Sequence, residues 1–141
     1  MIVRKKILTH LFYLIILFNY CFPDIIINRN TTWSQDKYLT ESVIIKPSGS
    51  LSIDPGVNVY IKNDTDISNN EGISFLVLGS LSVLGTVNKP VYIGPKLNSN
   101  NKSYWSGIKF DSTQVESNIS FLTISNAQNG LDIRSSVNIS N

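Results

Sequence analysis

Four charged side chains flank apolar residues at strand spacing. Lys109 and Asp111 bracket Phe110, and Asp132 and Arg134 bracket Ile133. Alternation of this kind sends Ile108, Phe110, Leu131 and Ile133 to one side of a strand and the charges to the other. If the two strands stack in register, the four charges share one outward face. That face is either a salt-paired, solvated surface or a surface that meets a ligand. Trp105, just upstream, carries the same two readings. It either packs over an apolar corner beside Gly107 or offers its ring as a sugar-stacking platform, and the residue types around it favour the corner.

Little other chemistry is legible. His10 is the lone histidine and Cys21 the lone cysteine. With His10 in a leader segment, the remainder has no imidazole for a Ser–His pair, and one cysteine cannot build a multi-cysteine zinc site. No phosphate-binding loop and no Gly-rich dinucleotide fingerprint occurs. Asn63, Asp64, Thr65, Asp66, Asn69, Asn70 and Glu71 bring together enough oxygen ligands to suggest calcium. The calcium-loop register starting at Asp64 fails, because Asn69 falls where glycine belongs and Phe75 where a bidentate glutamate belongs. A solvated loop is the simpler reading, and no cofactor other than calcium is suggested.

The leader is the clearest functional signal. Arg4, Lys5 and Lys6 precede an unbroken apolar run from Leu11 to Phe18, and Pro23 and Asp24 close the segment. A bilayer span needs roughly 20 apolar residues. The run here is too short, so residues 1–22 read as an export signal. Cys21 lies where a lipoprotein cysteine would lie. Tyr20, directly before it, is large for a lipidation site, so Cys21 is read either as a lipid anchor point or as an inert residue of a discarded signal. Localisation is therefore secreted, periplasmic or cell-surface, with membrane contact only through the signal or a lipid.

Twelve Lys and Arg stand against ten Asp and Glu, and setting aside Arg4, Lys5 and Lys6 leaves nine basic residues against ten acidic. A nucleic-acid partner requires clustered basic excess, which the body of the chain lacks.

These residues are positioned by short strands. Gly49-Ser50-Leu51-Ser52-Ile53 recurs as Gly79-Ser80-Leu81-Ser82-Val83. A fixed-period echo of a turn and an alternating strand points to a coiled repeat. Pro55-Gly56 suits a tight corner, because proline fixes φ and glycine accepts positive φ. Further strands are expected at 42–45, 57–61, 73–78, 81–84, 91–93, 108–110, 119–124, 131–133 and 137–139. The strands are too short for a sandwich, and no helical period longer than two turns follows residue 24.

Three segments in order resemble a known family. Gly49 to Val59 is similar to a "G-x-L-T-I-x-P-G-V-x-V" opening coil. Leu78 to Thr86, with Lys89-Pro90-Val91-Tyr92-Ile93, resembles the coil that follows. Trp105-Ser106-Gly107-Ile108-Lys109-Phe110 is close to "W-x-G-I-x-F". The resemblance, over residues 40–140, is to right-handed parallel β-helices of the pectin-lyase-like superfamily, as found in bacterial extracellular proteins. It implies an all-β solenoid of about four coils over residues 41–141, after a lead-in or cap at 23–40. Polysaccharide lyases of this superfamily use outward acids for calcium and a base to take a sugar proton, a role that would fall on Asp111, Asp132 and Lys109 or Arg134. The strand pattern runs to Ser140 with no visible cap, so the solenoid is expected to continue or to self-associate there.

The expected function is an exported, non-enzymatic β-helix module serving as a rigid scaffold or as a surface for polysaccharide or a surface protein. The alternative is the first coils of a polysaccharide lyase or hydrolase with catalytic rungs elsewhere.

Overall fold

The computed structural model describes residues 24–62, 72–96, 105–111 and 115–141. These form fourteen short strands. In chain order they are β1 (Ile25–Ile27), β2 (Asn30–Trp33), β3 (Lys37–Leu39), β4 (Val43–Ile45), β5 (Ser50–Ile53), β6 (Asn58–Ile61) and β7 (Ser74–Val77). There follow β8 (Ser80–Leu84), β9 (Val91–Pro95), β10 (Gly107–Asp111), β11 (Ser117–Ser120), β12 (Leu122–Ile124), β13 (Leu131–Arg134) and β14 (Val137–Ser140).

Every third strand belongs to the same sheet. The first sheet runs β1-β4-β7-β10-β13, the second β2-β5-β8-β11-β14 and the third β3-β6-β9-β12. All pairings between these strands are parallel. The chain thus visits three sheets in turn and returns to the first one strand further along, an all-β arrangement compatible with a parallel β-helix. Residues 25–39, ahead of the expected coils, already supply one strand to each sheet.

Alternation explains why these segments form strands. In the first sheet, Val43, Phe75, Ile108 and Leu131 stack in register, and so do Ile27, Ile45, Val77, Phe110 and Ile133. In the second, Trp33, Ile53, Val83, Ile119 and Ile139 form one inward column. Most of these side chains are fully buried and form one core. Like lies over like at the strand spacing of about 4.8 Å. Ile133 and Ile139 are the exceptions, at 42% and 54% exposed, although the residues they pair with, Phe110 and Ile119, are buried.

Among the described residues, one polar residue enters the core. Ser117 is fully buried, and its Oγ accepts the Leu81 backbone N–H at 3.0 Å. That bond satisfies a donor that burial would otherwise leave unpaired.

Corners follow local chemistry. Gly56 has φ of 82° after Pro55, and the Val57 N–H donates to the Asp54 carbonyl at 3.3 Å. The segment 119–124, expected as one strand, is broken at Phe121, whose φ is 44°. A single left-handed residue turns the chain from the second sheet to the third, and apolar alternation does not register so small a bend.

Candidate functional site

Register brings together the four charges that alternation sends outward. Lys109 pairs with Asp132 and Asp111 with Arg134 across β10 and β13. Signs therefore alternate both along and across the strands. Closure is along each strand: Lys109 Nζ lies 2.8 Å from Asp111 Oδ2, and Arg134 Nη2 lies 3.1 Å from Asp132 Oδ2. The Arg134 pair is two-pronged, since Nε also donates to Asp132 Oδ1 at 3.2 Å. The hydrogen bond that Arg134 donates to Asp132, then the charge of that carboxylate, raise the Arg134 pKa above its ordinary value; desolvation opposes this and Asp111 adds to it.

Lys109 and Asp132 also border an open groove of about 590 Å3 outside the first sheet, together with Ser42, Ser74, Ile44 and Leu76. Ile44, Leu76, Lys109 and Asp132 are one outward column, so an aliphatic strip passes into a charged one. The groove can accept a ligand that is apolar at one end and dipolar at the other. Exposed ion pairs of this kind contribute little to stability. Asp132→Asn is therefore expected to move the melting temperature by about 2 °C or less. Thermal unfolding followed by circular dichroism checks this.

Trp105 does not join the charges. It is 1% exposed, its Nε1 donates to the Ser125 carbonyl at 2.9 Å, and its ring meets Phe75 edge-on at 6.2 Å. Trp105 fills a corner of the core and offers no ring face to a ligand, a correction to its place on the ligand face. Cys21 and the oxygen-rich segment 63–71 lie outside the described residues. Among the described residues no group of three or more His, Cys, Asp or Glu converges as a metal site would.

A second surface was not singled out by residue type. Tyr38 and Tyr60 are register partners on the outer face of the third sheet, with ring centroids 5.0 Å apart and tilted by 34°. Tyr92 continues the series at 6.3 Å from Tyr60. Gly94, not a third tyrosine, is the register partner of Tyr60. A Cβ there would stand 2.8 Å from the Tyr92 hydroxyl, so glycine leaves room for that phenol to donate to the Pro95 carbonyl at 2.7 Å. Lys96 reaches back across two coils, its Nζ 5.7 Å from the Tyr38 ring and 5.9 Å from the Tyr60 ring. Tyr38, Tyr60, Thr40, Lys62 and Lys96 line a cleft of about 330 Å3. Tyr38 is 66% exposed, unusual for a ring of that size. The signal in the sequence is tyrosine beside inward residues at 38, 60 and 92, and it becomes legible only once the register is known.

Compared with models of protein families, with curated proteins and with solved structures, the chain matches none of them.

Proposed function

We propose that this chain is an exported, non-enzymatic module of a bacterial surface or secreted protein, built as a right-handed parallel β-helix of the pectin-lyase-like kind. It serves as a stiff scaffold that presents a binding surface for glycan or protein. The observation that carries the reading is the in-register stacking of outward side chains. Thr32, Ser52, Ser82, Asn118 and Asn138 form one such column on the second sheet. Columns of this sort repeat a chemical group at the strand spacing, which suits a ligand that is itself a repeating polymer.

The charged face favours presentation over catalysis. Each acid of the face lies against a base on its own strand, at 2.8 and 3.1 Å. Export rests on residues 1–22, with Cys21 as the lipid attachment point if the protein is anchored.

The test is to recover the protein from cells producing the full chain and incubate it with polysaccharides in the presence of calcium. Recovery outside the cytoplasm without residues 1–22, and no release of new reducing or unsaturated sugar ends, is the expected result. Cleavage products would overturn the scaffold reading in favour of a lyase or hydrolase. Retention in the cytoplasm with the leader intact would overturn export.

A further inference from the structure

We propose that Tyr38 and Tyr60 form an oxidative modification site, at which the two phenols join into an intramolecular dityrosine that ties the first turn of the chain to the second. The oxidant is hydrogen peroxide, used by a haem peroxidase. The inference goes beyond the scaffold reading and rests on it in one respect: an exported chain leaves the reducing cytoplasm for oxidising surroundings.

Geometry carries the proposal. Tyr38 and Tyr60 are register partners on β3 and β6, with ring centroids 5.0 Å apart and planes tilted by 34°. Parallel pairing holds the two backbones about 4.8 Å apart and keeps the side chains neighbours. The last torsion of a tyrosine has broad wells, and Tyr38, at 66% exposed, has room to turn its ring edge toward Tyr60. A bond between the ring carbons ortho to the hydroxyls holds two phenols only slightly closer than they already stand. Trp33 and Trp105, rings that also oxidise readily, are buried in the core.

Tyr92 does not compete for Tyr60. Its ring lies farther away, at 6.3 Å and 50°, and its register partner is Asn58. Its hydroxyl is held by the Pro95 carbonyl at 2.7 Å.

The step balances. Each phenol O–H breaks and gives up one hydrogen atom, leaving two neutral phenoxyl radicals. Their ortho carbons join in one C–C bond, and the hydrogen on each of those carbons moves to its oxygen, restoring both phenols. The two hydrogen atoms removed, two electrons and two protons together, reduce one peroxide to two waters. Lys96 Nζ stands 5.7 Å from the Tyr38 ring and 5.9 Å from the Tyr60 ring. A positive charge there opposes loss of an electron alone and favours loss of the whole hydrogen atom, which gives the neutral radical that couples.

The probe is hydrogen peroxide with a haem peroxidase, applied to a dilute solution of the exported full chain. The expected product is a monomer lighter by two hydrogen atoms, with blue dityrosine fluorescence and a peptide map that joins Tyr38 to Tyr60. Tyr38→Phe and Tyr60→Phe, which keep the rings, should each lower the fluorescence about tenfold or more, whereas Tyr92→Phe should keep it within about twofold. The linked monomer should melt about 5 °C or more above the unlinked one, because the link closes a loop of one whole turn. No dityrosine, covalent dimers as the main product, or a link mapped to another pair would overturn the site. An unchanged melting temperature would overturn its role as a tie between turns. Each of these failures leaves the export reading standing, because export is judged separately by where the chain is recovered and whether it has lost residues 1–22.

Discussion

Gly79→Ala is expected to destabilise the protein by about 3 kcal/mol or more, an effect at the severe end for one added methyl group. A Cβ on Gly79 would collide with the backbone carbonyl oxygens of Gly49 and Lys46, and one on Gly49 with the carbonyl of Ile27. Neither obstacle is a flexible side chain that can swing away. The corners are also tied together, since the Ser80 N–H donates to the Gly49 carbonyl at 3.2 Å and the Gly79 N–H to the Ile45 carbonyl at 3.1 Å. Separating the corners to admit a methyl group lengthens those bonds along with the strands that follow. The melting temperature should fall by about 10 °C or more. Gly130→Ala is the control. Gly130 has φ of 54° but nothing within 4 Å of an added Cβ, so only the left-handed backbone penalty of about 1 kcal/mol applies. Equal urea midpoints for the two variants would mean that the corners are not stacked as described.

Phe75→Ala is expected to cost about 4 kcal/mol. Phe75 is fully buried in the first sheet, between register partners Val43 and Ile108. Its ring also stands edge-on to Trp33 and to Trp105, each at 6.2 Å. Truncation removes the ring that joins the two tryptophans and leaves a void that the strands on either side cannot close without breaking register. Two readouts should move together: the urea midpoint should fall, and tryptophan emission should shift to the red as water gains access. Phe75→Leu, which keeps most of the volume, should lose about 1 kcal/mol or somewhat more. A change under about 1 kcal/mol for Phe75→Ala, with unaltered emission, would place Phe75 outside the core.

The repeat that was legible in the sequence is one turn of the chain. Ser50, Leu51, Ser52 and Ile53 lie directly beside Ser80, Leu81, Ser82 and Val83. The glycines that open the two copies are required by close backbone approach, and Gly56 by its positive φ. The other turns do not show up as a fixed-period repeat because the period is not constant. Ser50 and its neighbour Asn30 are 20 residues apart, whereas Leu81 and Ser117 are 36 apart. Insertions between sheets lengthen some turns without altering the stacking, so fixed-period self-similarity finds a single pair.

The first turn was missed for a related reason. Asn30, Thr31 and Thr32 read as a polar stretch, yet they form β2 and deliver Trp33 to the core. A strand whose outward residues are all polar shows its identity through one buried side chain only.

Of the candidate site, alternation placed Lys109, Asp111, Asp132 and Arg134 outward on one face, and their register supports that placement. Alternation could not indicate that each pair would close along its own strand. Nor could it find the tyrosine series, because Tyr38, Tyr60 and Tyr92 lie in three different turns and resemble ordinary strand residues taken singly. Trp105 was ambiguous for the opposite reason: a tryptophan beside a glycine serves equally as a corner plug or as an exposed platform, and only its burial and its bond to Ser125 decide.

The central claim is that successive turns stack in register and carry outward residues in straight columns. The most direct measurement is a spin-label distance between Thr32→Cys and Asn138→Cys in a Cys21→Ser background. These positions are exposed and stand at the two ends of one column, four register steps apart. At about 4.8 Å per step, a single narrow distribution near 20 Å is predicted. A broad distribution, or one centred beyond about 30 Å, would contradict the stacked arrangement and remove the basis for every surface described above.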